Sequence, residues 1–434
     1  MVKIAVLVKQ VPSADSRLTL NSENFNLERS LTDPVLNPAD LHAVEAALRI
    51  CDGTENQTIL ISMGPSGVEQ STKRALAMGI DEALHITDEN LSGADIWVTA
   101  NVLSKAVASV NADLVFAGSF SSDGENAVVP AYVAGLLKWE YVKVENEFEL
   151  DQVLNLKKPT IVSVSSNLNS PRLPNFKGIA ASKNKLVTLV SLKELNLDGI
   201  APKVKVVSQT LKANSKTSER KTGNAQELAK LILDQVSQWR TASGVSETQI
   251  AQSDGVKVFT FEEKDKAAKE AALAGCAIVT DVLSSGETGF VKEAFQGALE
   301  VLVEAQKPVV VTKAQAPQSN GVVVSVGGGI SDIDSARKLA TTLDAKIVGT
   351  AAALDKGFIE ASDLVGESGQ SISPHVYIGF GVSGAYHHMV GVRRPNYLIA
   401  VNKDPEAEIF AKADLAIVAD ADEILAELAR GSGN

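Results

Sequence analysis

The sequence repeatedly places a short, uninterrupted apolar run ahead of a glycine- or serine-bearing loop and an amphipathic stretch. Residues 2–8 (VKIAVLV), 57–62 (QTILIS) and 113–117 (DLVFA) are such runs near the start, and residues 322–326 (VVVSV) and 376–380 (VYIGF) near the end. A strand that is apolar along its whole length has to be covered on both faces, which is typical of parallel strands flanked by helices. The pattern predicts an α/β fold with two doubly wound, mostly parallel-sheet domains and a short α/β connecting unit.

The last part of the chain shows this rhythm most clearly. Five apolar runs there predict five parallel strands of one doubly wound domain, at residues 322–326, 346–349, 376–380, 398–401 and 415–418. Residues 141–165 look different, because polar and apolar residues alternate, and we expect antiparallel edge strands or a hairpin in that segment.

Composition excludes several classes of protein. The 434 residues carry a formal net charge of −12, which argues against a protein that binds nucleic acid through its phosphates. The two cysteines, Cys51 and Cys276, are too few and too far apart for a disulfide framework or a cysteine-rich metal site. With so few cysteines we also expect no metal site. The longest apolar runs fall short of the roughly 18 residues of a membrane span, so we expect no membrane insertion and a cytoplasmic location.

Ligands of an open α/β sheet bind outside the carboxyl ends of its strands, so the loops at those ends are the candidate sites. In the last domain these loops carry glycine, asparagine and aspartate residues, among them Gly327-Gly328-Gly329, Asn402 and Asp420. Glycine lets backbone N–H groups approach a phosphate closely. Gly327-Gly328-Gly329 does not follow the GxGxxG spacing, and a lone glycine cluster is more often a tight turn. Taken together, the loops indicate a dinucleotide site.

Longer motifs carry a resemblance to a known family. VGESGQSISPHVYIGFGVSGAYHHMVGV and the later IAVNKDPEAEIF resemble the FAD-binding domain of the electron transfer flavoprotein α subunit. VLVKQVP, NPADLHAVEAALRI, DLVFAGSFSSDGENAVVPAYVAGLLKW and LNSPRLPNFKGIAASKNK resemble its β subunit. The chain is thus similar to a β subunit followed by a shortened α subunit, with an adenine nucleotide α-hydrolase-like fold in the first domain.

The resemblance implies four segments. They are a β-subunit-like nucleotide-binding domain at 1–205, an extended arm and linker with one helix at 206–254, a truncated remnant of the α subunit's first domain at 255–320, and an α-subunit-like FAD-binding domain at 321–434.

The resemblance also implies an FAD site in the last domain. Ser368 matches a hydroxyl residue that faces flavin N5, and His388 matches a histidine beside the N1/O2 edge, where negative charge gathers on reduction. A structural histidine at a helix start is the alternative for His388, and a helix cap is the alternative for Asp420. The full set of expected FAD contacts is Thr350, Glu367, Ser368, Gly369, Ser383, Gly384, His388, Asn402 and Asp420.

Two departures from the family concern the flavin. An arginine that lies over the isoalloxazine in the family is replaced, since the pair reads Thr350-Ala351 here. The family's QTGK reads Glu367-Ser368-Gly369-Gln370, which adds a carboxylate and removes a lysine. Both changes remove positive charge, so we expect a less stabilised anionic semiquinone and a lower reduction potential.

In the β-like domain the family binds AMP, or a second FAD in bifurcating members. The expected phosphate loop reads SSDGENAVVP from residue 121, and its amide position is an alanine. An empty structural loop is the alternative. The residues implied for this nucleotide are Val8, Asn37, Met63, Gly64, Asn126, Ala127 and Val128.

The resemblance places a partner contact at Leu195, the position of a leucine that inserts into a partner dehydrogenase. It implies an electron carrier, rather than a substrate-converting enzyme, that carries electrons on FAD between a flavin dehydrogenase of the acyl-CoA dehydrogenase kind and another redox partner. An NADH-dependent electron-bifurcating flavoprotein and a flavin-free nucleotide-binding relative are the alternatives. A homodimer could supply the surface that the shortened α segment lacks.

Overall fold

The computed structural model describes most of the chain. The described residues are 2–13, 19–21, 28, 34–67, 69–144, 147–155, 158–165, 168–211, 220–241, 250, 254–260, 262–286, 289–294, 299–314, 321–366 and 369–431. The chain divides into two compact units. Unit 1 comprises residues 1–211, 248–295 and 299–314, and unit 2 comprises residues 212–247, 296–298 and 315–434.

Unit 1 contains most of the secondary structure. Its strands, numbered along the whole chain, are β1 (Lys3–Val8), β2 (Gln10–Pro12), β3 (Pro34–Leu36), β4 (Gln57–Met63), β5 (Glu82–Ile86), β6 (Leu114–Gly118), β7 (Glu140–Val144), β8 (Thr160–Val164), β9 (Val187–Val190), β10 (Val204–Leu211), β12 (Val256–Phe259), β13 (Ala277–Gly286), β14 (Gly289–Ala294), β15 (Leu299–Ala305) and β16 (Val309–Lys313). Its helices are α1 (Pro38–Cys51), α2 (Glu69–Met78), α3 (Ile96–Ser109), α4 (Val129–Leu137), α5 (Glu147–Asn155), α6 (Phe176–Ser182) and α8 (Lys264–Ala274).

A seven-stranded sheet organises unit 1. Its order is β7-β8-β6-β1-β4-β5-β9, and every neighbouring pair is parallel. Apolar clusters cover both faces, one under α3 and α4 and the other under α1 and α2. The expected antiparallel pairing within 141–165 is wrong, because β7 and β8 run parallel and are joined through α5. The alternation in β7 reflects its place at the exposed edge of the sheet.

A second sheet of unit 1 is mixed, with the order β10-β15-β14-β13-β16-β12. It pairs β10 antiparallel to β15, and residues 255–295 and 299–314 are part of unit 1. The helix of this segment, α8, packs on α4 at Gly135, where a Cβ atom would lie 2.7 Å from the Cβ of Ala272. The Tyr132 hydroxyl donates a hydrogen bond of 2.6 Å to the carbonyl of Cys276 and strengthens the same contact.

Unit 2 is a smaller doubly wound domain. Its strands are β11 (Arg220–Lys221), β17 (Val322–Val326), β18 (Lys346–Gly349), β19 (Val376–Phe380), β20 (Tyr397–Asn402) and β21 (Leu415–Val418), and its helices are α7 (Ala225–Thr241), α9 (Ile333–Thr342), α10 (Ala351–Asp355), α11 (Tyr386–Met389) and α12 (Ala421–Gly431). The sheet has the order β11-β21-β20-β19-β17-β18 and is parallel throughout.

The α/β class and the five parallel strands expected from the sequence are confirmed. The middle of the predicted arm adds to unit 2, because β11 extends the sheet and α7 packs its Leu228, Ile232 and Val236 into the core, whereas residues 206–211 belong to β10 of unit 1. Within the described ranges, no helix combines the length and the hydropathy needed to span a bilayer. The cytoplasmic location stays a prediction.

The α4–α8 contact gives a test of the way residues 255–314 complete unit 1. Gly135→Val places a branched side chain against Ala272 and the backbone of Lys269, and we expect the free energy of unfolding to fall by about 1–3 kcal/mol. Urea denaturation in a Trp239→Phe background measures this, since the remaining tryptophans then report unit 1 alone.

The control is Ala180→Val, which likewise introduces valine in a helix of the same unit, at an exposed position of α6. Equal denaturation midpoints for the two variants would contradict the close α4–α8 contact.

Candidate functional site

The sheet order of unit 2 creates a crevice at the carboxyl ends of its strands. The chain passes from β17 to its neighbour β18 and then returns to form β19 on the opposite side of β17. The loops that follow β17 and β19 therefore lie side by side at the point where the strand order reverses, which is where ligands of such sheets bind. Gly327 and Gly381 touch backbone to backbone there, and neither has room for a Cβ atom.

The loop after β19 has a fixed conformation and an open outer side. Gly381 and Gly384 adopt φ angles of +62° and +90°, and a Cβ on Gly384 would overlap the backbone of Ile409. The Ile409 N–H donates to the Ser383 carbonyl at 3.0 Å. Ser383 and Ala385 are exposed on the other side of the loop. The Ala385 N–H donates to the Ser383 hydroxyl oxygen at 3.3 Å, which leaves the exposed Ser383 hydroxyl able to donate to an anionic group.

Backbone N–H and carbonyl groups of the loop after β17 form hydrogen bonds with charged side chains of the protein. The N–H groups of Ser331 and Asp332 donate to the Asp422 carboxylate at 2.9 and 3.1 Å, and the Ser331 hydroxyl donates to it as well. Burial acts to raise the pKa of Asp422, but these hydrogen bonds outweigh burial and hold the pKa below its ordinary value. The Lys356 ammonium donates to the carbonyls of Gly328 and Ile330 at 2.8 and 2.9 Å.

The other sequence-predicted residues lie at the same edge of the sheet. Thr350 caps α10 by accepting from the Ala353 N–H at 3.4 Å. Asn402 donates to the Val382 carbonyl at 2.9 Å and accepts from the Asp404 N–H at 3.0 Å. Each side chain already orders a strand end, and a direct contact with a cofactor stays a prediction for Thr350 and Asn402.

Asp420 and the turn at Gly369 complete this set. The Asp420 carboxylate accepts from the N–H groups of Asp422 and Glu423 at the start of α12, which is the cap role that the sequence left open. Gly369 is held in a turn by its N–H bond to the Gly366 carbonyl at 3.2 Å. Glu367 and Ser368 lie outside the described residues.

His388 is a buried, neutral side chain in this structure. Its Nδ1–H donates to the Val365 carbonyl at 2.9 Å, so Nε2 carries the lone pair and accepts from the Tyr377 hydroxyl at 2.7 Å. Burial lowers the pKa of His388 to about 4 and raises that of Tyr377. The resemblance placed this ring beside the N1/O2 edge of the flavin, where an imidazolium would stabilise the negative charge of the reduced cofactor. The structure instead gives an uncharged ring with both nitrogens bonded to protein, because a charged ring would be poorly solvated there.

The corresponding edge of unit 1 holds the residues predicted for a second nucleotide. Val8, Met63 and Gly64 lie at the ends of β1 and β4, next to each other in the sheet. Asn37 is buried, donates to the Phe120 carbonyl at 2.8 Å and accepts from a loop N–H, so it fixes the loop after β6. These contacts bring the first part of the predicted site together.

Asp40 is a functional candidate that the sequence reasoning missed. Its carboxylate accepts from the Lys9 N–H at 2.7 Å and from the Asn37 amide at 2.9 Å. Burial raises the pKa of Asp40 to about 7, although these hydrogen bonds act in the opposite direction. Its position three residues after Asn37, in the first turn of α1, was the available signal.

Two lysine side chains contact the loop from residue 121 to residue 128. The Lys9 ammonium lies 2.7 Å from an Asp123 carboxylate oxygen, and the Lys292 ammonium lies 3.4 Å from the Asn126 side-chain oxygen. The Thr280 hydroxyl donates to the same Asn126 oxygen at 2.5 Å. Ala127 and Val128 follow directly, and Val128 begins α4 without a side-chain cap. Thr280 and Lys292 come from the mixed sheet, and no local sequence motif indicates that they contact this loop.

Leu195 does not lie on the surface. Its side chain is 6% exposed and packs with Leu192 into the core of unit 1. The turn that carries it is closed by the hydrogen bond from the Leu197 N–H to the Leu192 carbonyl. In this conformation Leu195 is unavailable to a partner, because the burial of its side chain stabilises the unit itself.

Comparison with known proteins identifies the class. Residues 26–195 match the electron transfer flavoprotein domain, and residues 318–393 match the electron transfer flavoprotein FAD-binding domain. The electron transfer flavoprotein subunit beta of Mycobacterium bovis is 35% identical over 218 residues, which cover 46% of this chain and 82% of the relative. The corresponding subunit of Thermoanaerobacterium thermosaccharolyticum is 31% identical over 253 residues, 54% of this chain and 97% of the relative.

The chain belongs to the electron transfer flavoprotein family, and it carries β-like sequence and the FAD-binding domain in one polypeptide. FAD is the cofactor of that domain. The described residues fit a dinucleotide, because the close backbone approach at Gly384 shapes a loop whose Ser383 and Ala385 stay exposed at the crevice. A further relative is the caffeyl-CoA reductase-Etf complex subunit CarD of Acetobacterium woodii, 30% identical over 213 residues, 45% of this chain and 80% of the relative.

The burial that keeps His388 neutral can be tested directly. Tyr377→Phe removes the hydroxyl 2.7 Å from Nε2, but the Ser325 hydroxyl stays 3.4 Å from that nitrogen and the ring stays buried, so we expect the pKa of His388 to remain well below 6.5, near its wild-type value of about 4. NMR titration of the ring signals measures it, and the four other histidines serve as internal controls. A wild-type His388 that titrates near 6.5 would contradict the described network.

Proposed function

We propose that this chain is a single-chain electron carrier. It holds FAD at the crevice of unit 2, takes electrons from a flavin dehydrogenase of the acyl-CoA dehydrogenase kind and passes them to a second redox partner. The observation that supports the proposal is the contrast between two neighbouring loops. The loop after β17 has its N–H and carbonyl groups hydrogen-bonded to Asp422 and Lys356, whereas the loop after β19 exposes Ser383 and Ala385 to a dinucleotide. No described residue is assigned a role in converting a substrate.

The residues of unit 2 would hold and orient the cofactor. Bound flavin supplies the chemistry, since it accepts or donates one or two electrons. The N–H groups and hydroxyl of the Ser383 loop suit the pyrophosphate, and Asn402, at the end of the neighbouring strand, suits the adenosine side. The neutral ring of His388 contributes a dipole and no charge. With Ala351 in place of the family arginine, we expect the chain to favour oxidised flavin more than its relatives do.

The first experiment measures flavin content. The purified protein is examined by visible absorbance before and after FAD addition, and acid-released nucleotides are identified. One FAD per chain without NADH oxidation supports the carrier. Two FAD per chain with NADH oxidation would indicate electron bifurcation, an alternative brought forward by the caffeyl-CoA reductase-Etf relative. A chain that binds no FAD, even after FAD is added, would support the alternative of a flavin-free nucleotide-binding protein.

A charge placed on the open loop tests the binding mode. Ser383→Asp puts a carboxylate where the pyrophosphate is expected, and we predict FAD affinity at least about tenfold weaker, or about 1.4 kcal/mol. Fluorescence titration of the FAD-free protein measures it. The matched control is Thr341→Asp, the same kind of change on an exposed residue near the end of α9. Unchanged affinity for Ser383→Asp would contradict the proposed placement.

We also propose AMP as the ligand of the unit 1 loop. Gly124 faces a group of donors, because a Cβ atom there would lie 3.2 Å from the Ser121 hydroxyl, 3.3 Å from the Asn126 amide nitrogen and 3.7 Å from the Lys9 ammonium. Burial lowers the pKa of Lys292, while nearby carboxylates favour its charged form. A partly desolvated ammonium with a long bond to a neutral amide gains most from an anionic group such as a phosphate.

Removal of that ammonium separates phosphate recognition from adenosine recognition. For Lys292→Met we predict AMP binding weakened at least about tenfold, with adenosine affinity and FAD content unchanged. Calorimetry with AMP and with adenosine measures both. Lys205→Met is the control, an exposed lysine on the same mixed sheet. Equal AMP affinity in the two variants would assign the loop a structural role only.

A further inference from the structure

Exposed apolar side chains are concentrated in one short stretch of unit 1. Among the described residues, eight large hydrophobic side chains are exposed, and five of them fall between residues 173 and 189. They are Leu173, Phe176, Ile179, Leu186 and Leu189, and Phe176 is 93% exposed. Single exposed apolar residues need no explanation, but a concentration of them marks an interaction site. Phe176 and Ile179 are one turn apart on α6, and Leu189 lies on the edge strand β9; we call the five exposed residues of this stretch the apolar face.

The backbone of this stretch is held firmly from behind. Asn175 caps α6 by accepting from the Gly178 N–H at 2.8 Å. Gly178 approaches α2 so closely that a Cβ would overlap the Ala77 carbonyl. The Lys185 ammonium donates to the carbonyls at the end of α2, among them Leu76 at 2.9 Å. The helix packs through Gly178 and Ser182 and leaves Phe176 exposed to solvent.

The charge of the stretch is opposite to that of the chain. Residues 171–193 contain five basic residues and no acidic one, whereas the whole chain has a net charge of −12. Two of the five are used internally, since Arg172 pairs with Glu45 and Lys185 binds carbonyls. Lys177, Lys183 and Lys193 are exposed and add positive charge to this stretch, which the exposed Glu194 follows directly.

We propose that the apolar face with its exposed lysines is the docking surface for a partner protein that presents an apolar recess bordered by acidic residues. This inference rests on the proposed function, in which that partner is the flavin dehydrogenase. Charge complementarity argues for this occupant over a second copy, because two copies would bring the same lysines together. The surface takes the place of Leu195, whose burial keeps it from making the contact.

The test uses the full chain loaded with FAD. A purified acyl-CoA dehydrogenase with its acyl-CoA substrate reduces the flavin, and the initial rate is followed as the concentration of the chain is varied. In Leu173→Ser/Phe176→Ser we expect kcat/KM to fall at least about tenfold with kcat little changed, because docking is lost and electron transfer within the complex is not. Both residues are largely exposed, so the fold should be retained.

Two controls make the result specific. Leu273→Ser removes an exposed leucine of α8 in the same unit and should leave kcat/KM unchanged. Lys177→Glu/Lys183→Glu should lower kcat/KM without touching the apolar residues. Reduction of every variant by dithionite, which needs no docking surface, should match the wild type.

Three outcomes would overturn the proposal. Wild-type flavin that the dehydrogenase does not reduce would exclude this class of partner. Unchanged kcat/KM in the serine variant would exclude this surface. A wild-type dimer that becomes a monomer in the serine variant, with kinetics unchanged, would make the face an interface between copies. A chain that binds no FAD would instead contradict the proposed function, so the two failures are distinguishable.

Discussion

The parallel pairing of fully buried strands is the constraint on which the rest of this structure depends. β17 is buried at every residue and pairs with β18 on one side and β19 on the other. Because parallel strands all end at the same edge, the loops that follow them meet there, whatever their sequence. The reversal of strand order then fixes the crevice. Glycine decides only the last step, namely how closely the backbones at Gly327 and Gly381 approach.

Charged groups of the protein settle which loops remain open to a ligand. A loop that follows a parallel strand carries N–H groups that need acceptors. After β17 the acceptor is the Asp422 carboxylate, and Lys356 binds the carbonyls of the same loop. The loop after β19 is braced from behind by Ile409 and keeps its outer side exposed. Which of the two neighbouring loops can bind a ligand therefore depends on the charged and hydrogen-bonding side chains that already occupy one of them, and not on glycine content.

The sequence predicts those parts of the fold that depend on local pattern. Apolar runs identified the five strands of the last domain, because strands covered on both faces are mostly apolar; the polar exception in β17 is the buried Ser325. The direction of β7 was mispredicted, since its alternation comes from exposure at the sheet edge and its direction from the α5 crossover. Lys292 and Thr280 reach the Asn126 loop through long-range strand pairing, for which no local signal exists. The burial of Leu195 depends likewise on tertiary packing.

The distribution of charge matters more than its sum for a chain that has to meet protein partners. At physiological ionic strength, exposed charges are screened beyond about 8 Å. A partner that approaches residues 171–193 therefore interacts with Lys177, Lys183 and Lys193 rather than with the acidic total of the chain. In other orientations an acidic partner would approach the carboxylates that outnumber the basic residues in the chain, and this local repulsion disfavours those encounters. A local basic face on an acidic protein thus selects one orientation, and the apolar side chains beside it stabilise the complex after that orientation is reached.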